Sequence, residues 1–213
     1  MSDIFKEIED ELRRDNFAKL WQRYRYYVLG FLAAVIVATG AVVGWRQYAQ
    51  RLRADEGERY QVALDLFQGD KLQEAKAAFA GLAQGSGERA VLARFEGAAL
   101  LARTGDPAGA AARYEAIAAD ASIDRSFRDL ATILSAQNGL ARGDPHAIIT
   151  RLQPLADSAG PWRPSALELT ALAQLRAGDK ASARANYQRL ADDETAPRGM
   201  RTRATEMVAA LAQ

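Results

Sequence analysis

The pattern of apolar and polar positions divides the chain into three stretches. Over residues 3–25, Ile4, Phe5, Ile8 and Leu12 share one helical face, and Phe17, Leu20, Trp21 and Tyr24 resume the pattern after a phase slip near Asn16. Glu9–Arg13 and Asp10–Arg14 set acid before base at helical spacing, a pairing worth roughly 0.2–0.5 kcal/mol each. Tyr26–Trp45, YYVLGFLAAVIVATGAVVGW, then runs twenty residues without a charge. Rising about 1.5 Å per residue, such a helix covers the roughly 30 Å hydrocarbon core of a bilayer. Tyr26, Tyr27 and Trp45 stand where aromatic rings meet the headgroups. The run continues past its small residues Ala38, Gly40 and Ala41, and 25 residues precede it, so the pattern predicts an uncleaved anchor rather than a signal peptide.

The third stretch is repetitive. The dipeptide Gly-Asp recurs at Gly69-Asp70, Gly105-Asp106, Gly143-Asp144 and Gly178-Asp179, spaced 36, 38 and 35 residues apart. Each ends one helical pattern and starts the next, since Gly accepts the left-handed conformation that closes a helix and Asp caps its successor. Pro107 and Pro145 sit at first-turn positions. Nine residues beyond Gly105, Gly143 and Gly178 come Tyr114, Leu152 and Tyr187, and seven before them come Ala98, Ala136 and Ala171, where a neighbouring helix needs room. Met200–Ala212 adds a last helix with Met200, Ala204, Met207, Val208 and Leu211 on one face.

The repeat resembles a tetratricopeptide array, in which helix pairs stack side by side. The expected fold is all-α: an N-terminal transmembrane helix, then a tetratricopeptide-like α-solenoid of about four helix pairs and a C-terminal capping helix. The expected domains are 1–25, an amphipathic N-terminal helix; 26–45, the anchor; 46–56, a juxtamembrane helix or linker; and 57–213, the repeat domain.

Charge adds an orientation. Arg13, Arg14, Lys19, Arg23 and Arg25 precede the span, against Arg46, Arg51, Arg53 and Arg59 after it. Counting Lys and Arg, five against four favours a cytoplasmic N-terminus. From Gln47 onward 21 basic residues balance 21 acidic ones, which gives no footprint for nucleic acid. The absence of cysteine suits an oxidising compartment as well as a reducing one.

Within the span Gly40 and Gly44 form a GxxxG, and Gly30, Ala34 and Ala38 form a row of small residues, the kind that lets a second helix approach closely. Catalytic chemistry finds no support. The single histidine, His146, has no cluster around it, Gln84-Gly85-Ser86-Gly87 lacks the nucleophile-elbow spacing, and Asp192, Asp193 and Glu194 read as a solvated helix end. The expectation is a non-enzymatic binding protein without metal or cofactor.

Counting back 13, 10, 6 and 3 residues from each Gly gives a concave strip that includes Leu92, Phe95, Leu130, Ile133, Gln137 and Leu172. A mostly apolar strip suits hydrophobic or unfolded polypeptide. In a register shifted by one, the same residues are core.

Taken whole, the acidic-basic start SDIFKEIEDELRRDNFAKLWQRYRYY, the single anchor and the degenerate repeats resemble the YfgM-like ancillary subunits of the SecYEG translocon. That resemblance implies a bacterial inner-membrane protein with cytoplasmic N-terminus and periplasmic repeats. It implies partners in SecYEG and in PpiD, a membrane-anchored chaperone related to prolyl isomerases, and a role with newly exported polypeptides. The other reading is a structural scaffold for a different inner-membrane or division complex.

Overall fold

The computed structural model describes the backbone of residues 3–212, with side chains described at 23, 26–27, 29–32, 35–48 and 55–212. Among the described residues every regular element is helical: α1 (Asp3–Gln68), α2 (Leu72–Ala83), α3 (Glu88–Arg103), α4 (Pro107–Ala119), α5 (Arg125–Gly139), α6 (Pro145–Ala156), α7 (Arg163–Arg176), α8 (Lys180–Ala191) and α9 (Arg198–Ala210). The chain divides into two compact units between Asp55 and Glu56.

In the first unit, Leu29–Tyr48 is a twenty-residue helical stretch long and apolar enough to cross a membrane, and none of its described side chains is buried. It overlaps the uncharged run Tyr26–Trp45 and continues past Arg46 to Tyr48. Thr39, its one aliphatic hydroxyl, donates to the Val35 carbonyl at 2.8 Å, so the helix meets that polar group itself. A Cβ added at Gly30, Gly40 or Gly44 meets nothing within 4 Å, and Ala38 is exposed, so the small residues border open space. Ala34 and the amphipathic face of residues 3–25 lie outside the described side chains.

In the second unit the end of α1 pairs with α2, α3 with α4, α5 with α6 and α7 with α8, and α9 packs on α8 as the closing helix. Four pairs and a cap result. The Gly-Asp turns set this spacing, but not by one mechanism. Gly105 and Gly178 take positive φ (87° and 83°), the left-handed conformation that closes a helix without a Cβ penalty. At the first turn Asp70 itself takes φ 59°. Gly143 needs its missing side chain instead, because a Cβ there would stand 2.8 Å from the Gly139 carbonyl oxygen. The following aspartates cap as expected in three of the four turns. Asp106 accepts from the Gly109 N–H at 2.8 Å, Asp144 from His146 at 3.0 Å and Asp179 from Ser182 at 2.9 Å. At α2 the capping position belongs to Lys71, which makes no side-chain bond, and Asp70 turns to another partner described below.

The pairs close over three core clusters of small and large residues. Ala98, Ala136 and Ala171, each at most 1% exposed, let the helices approach. Tyr114 (4% exposed) and Tyr187 (3%) fill the space between the helices of their pairs. Leu152 fills the equivalent position in the third pair and Phe79 the corresponding one in the first, both fully buried. The tyrosine hydroxyls keep their protons to higher pH than usual. Burial is the main cause, and the Glu96 carboxylate beside Tyr114 and the Glu168 carboxylate beside Tyr187 add to it.

Candidate partner-binding surface

The first helices of the pairs carry the strip predicted as a binding face, and the structure divides it. Leu92 is 37% exposed, Gln137 is exposed, and Leu130 and Leu172 are half-buried. Phe95 and Ile133 are core residues. Phe95 packs its ring 5.7 Å from Tyr114 and 6.1 Å from Phe127, and Ile133 clusters with Ala136, Ile148 and Leu152. The correction has a geometric cause. On a helix of 3.6 residues per turn, positions 92, 96, 99 and 103 share a face, and 95 belongs to the stripe turned toward α4. The side of α3 beside Leu92 therefore presents Glu96, Ala99 and Arg103. The half-buried Glu96 holds its proton to higher pH than a free glutamate, through desolvation.

The opposite side of α3 carries the larger opening. Between the second helices α2 and α4, with α3 as floor, lies a groove of about 650 Å³. Phe79, Ala93, Gly97, Ala98, Leu101 and Ile117 form its apolar bed, and Ala80 and Ala116 stand on its walls. At one end Arg94 donates to the Ala83 carbonyl at 3.2 Å and to Asp120 at 3.1 Å, so its charge is met within the fold. Asp120 is held below its ordinary carboxylate range, first by the Ser122 hydroxyl and backbone and also by Arg94. Lys76 and Arg113, both exposed, edge the groove with no hydrogen bond or ion pair among the described residues.

The equivalent spaces further along the array are crossed by side chains. Between α4 and α6 the opening is about 260 Å³, and Arg151 reaches Glu115 at 2.9 Å beside it. Between α6 and α8, Arg189 donates to the Ala156 carbonyl at 3.1 Å and to Asp157 at 3.0 Å, while Asn186 donates to Gln174 at 2.8 Å. Arg189 and Ala116 occupy the same repeat position, eleven residues beyond Gly178 and Gly105. Arg189 bridges the one space; Ala116 leaves the other open beyond the end where Arg94 joins α2 to α4. The sequence carries this difference only as a missing arginine, and an alanine has no chemistry of its own to point to a groove.

Elsewhere the residues considered for chemistry are dispersed. His146 is exposed in the first turn of α6, Ser86 lies in the loop before α3, and Asp193 is buried against Arg163 (3.4 Å) and Thr195.

Stacked helix pairs, each folded at a Gly-Asp turn, with grooves opening between neighbouring second helices, define an α-helical repeat protein whose surface serves contact with other proteins. A family model described as a tetratricopeptide repeat-like domain matches residues 18–208, and the chain belongs to that family. Domains of this family are in general non-catalytic modules for protein–protein interaction. No curated protein matches the chain.

Proposed function

We propose that the chain is a membrane-anchored, non-enzymatic adaptor or chaperone of the SecYEG translocon, whose periplasmic repeats bind partner proteins or newly exported polypeptides. The observation that carries the reading is the combination of Leu29–Tyr48, wholly exposed in the chain, with a protein-binding array directly after it in sequence. An apolar helix of twenty residues with no buried side needs an apolar medium, and a bilayer provides one. The basic residues before the span favour a cytoplasmic N-terminus and a periplasmic array in a bacterial inner membrane. The resemblance of the first fifty residues and the repeat layout to YfgM-like subunits supports the translocon and a PpiD-like chaperone as neighbours. Gly30, Ala34, Ala38, Gly40 and Gly44 supply the small-residue surface a neighbouring transmembrane helix would use.

The test is affinity purification of the full chain from membranes in mild detergent, with mass spectrometry of the co-purifying proteins. Translocon subunits and a PpiD-like chaperone are the expected companions. One stoichiometric partner from another envelope complex, with no translocon, would replace the reading with that of a scaffold.

A further inference from the structure

We infer that the groove between α2 and α4 is a docking site for a short apolar polypeptide segment flanked by carboxylates. The inference rests on the array being a protein-binding module and adds where it binds and what chemistry it selects. Three observations converge on this groove. Its bed is apolar and made largely of small residues, so the backbone or side chains of a guest can approach α3 closely. Ala116 stands here where Arg189 bridges the last space, so between α2 and α4 the fold spans the groove only at its end, through Arg94. Its edge carries Lys76 and Arg113, two cations with no partner among the described residues, whereas Arg94 at the end is already matched by Asp120. An apolar guest alone would leave both cations unused. A guest with acidic residues beside its apolar stretch meets bed and edge together, and opposite charge across a contact speeds encounter and rejects basic segments.

Gly97 offers a clean way to close the site. A Cβ there meets nothing within 4 Å, so a larger side chain enters the groove without colliding with the fold. A leucine also suits a helix better than glycine. Ala116, exposed on α4, offers a second block from the wall.

The experiment uses the full chain in zwitterionic nanodiscs and two fluorescein-labelled peptides with the same leucine-alanine core, one flanked by glutamates and one by lysines. Fluorescence anisotropy is read against empty discs. The glutamate peptide should bind about tenfold more tightly, as expected for two ion pairs of modest strength, and the preference should shrink with added salt. Replacing Lys76→Glu and Arg113→Glu together should reverse the order of the peptides. Gly97→Leu and the neutral, bulkier Ala116→Gln should each weaken the glutamate peptide by about tenfold or more by occupying the space the apolar core would fill, with helicity by circular dichroism unchanged. Equal binding of both peptides to the wild-type chain, or undiminished binding by a folded Gly97→Leu chain, would overturn the inference. Intact peptide discrimination by a chain that recovers no translocon strikes the translocon reading and leaves the groove standing. Equal peptide binding by a chain that does recover the translocon does the reverse.

Discussion

Arg103 donates to the Asp70 carboxylate at 2.9 Å, tying the last turn of α3 to the turn that ends α1. The same guanidinium donates to the Phe67 carbonyl at 3.2 Å and lies 4.8 Å from the Phe67 ring centroid. Arg176 repeats the relationship two pairs later, donating to the Leu140 carbonyl and, at 3.0 Å, to that of Gly143. Both arginines stand two residues before a helix-closing glycine. Each brings a cation to the negative end of the preceding first helix, where free carbonyls accumulate. The stacking of neighbouring pairs is thus fastened at their ends as well as through the core. Arg103→Ala should destabilise the full chain in detergent by about 1–2 kcal/mol, since the ion pair is exposed but the carbonyl and ring contacts go with it. Chemical denaturation followed by circular dichroism reads the change. A shift smaller than the error would show that the core alone sets the stacking.

The interhelical tyrosines carry more. Tyr114→Ala or Tyr187→Ala should each cost about 3–5 kcal/mol, the range for deleting a large buried aromatic. Tyr114→Phe should cost under about 1 kcal/mol, because the hydroxyl reaches the Phe95 carbonyl only at 3.4 Å. Unfolding of the array is expected to broaden or split in the alanine variants, as neighbouring pairs lose their coupling. An unchanged transition after Tyr187→Ala would contradict its place in the core.

The glycines of the turns should separate by mechanism. Gly143→Ala drives a methyl to 2.8 Å from a backbone oxygen, so the turn must shift. Gly105→Ala meets no atom within 4 Å and suffers only the penalty of a left-handed backbone, about 1–2 kcal/mol. Melting temperatures of the two variants should therefore fall in the order Gly143→Ala below Gly105→Ala. The opposite order would mean that the turn after α5 yields more readily than the backbone at Gly105.

The pH response has two limbs of opposite sign. Glu96 has its pKa raised by burial, so the cost of ionising it is absent below its ordinary value of 4.5 and appears as pH rises through the folded value. Glu96→Gln should raise the melting temperature at pH 7 and leave it little changed at pH 4. Asp193 behaves inversely. The Thr195 hydroxyl first, then the Thr195 N–H and the charges of Arg163 and Arg201, hold its carboxyl below 3.8. The stability it contributes is present above that value and is lost as pH falls through the lower folded one. Asp193→Asn should destabilise at pH 7 and converge with wild type toward pH 2.

The helix order was legible from the Gly-Asp spacing, because a repeat forces each unit to break and restart at the same place. The burial of Tyr114 and Tyr187 followed from the same count. Which face each first helix presents was not, because one residue changes the direction by about 100°, and that moved Phe95 and Ile133 from surface to core. The way each turn closes was only partly legible. Gly69 and Gly143 look like Gly105 in sequence, yet local crowding by carbonyl oxygens, not φ, governs Gly143. The fastening arginines could have been found from the Arg two residues before Gly105 and Gly178, had the carbonyls they reach been known. How far each groove stays open depends on which side chains cross it, Arg189 to Asp157 and Arg151 to Glu115, and those partners lie a repeat away in sequence.

The most direct test of the account is the sidedness of the two parts of the chain, and the natural absence of cysteine makes it simple. Single cysteines are placed at Ala119→Cys, exposed at the end of α4, and at Ser2→Cys before the span. Intact cells with a permeabilised outer membrane are treated with a membrane-impermeant maleimide. The account predicts that Ala119→Cys is labelled at once and Ser2→Cys only after the inner membrane is broken. Labelling in the reverse pattern, or of both before lysis, would contradict a periplasmic array on a cytoplasm-anchored span.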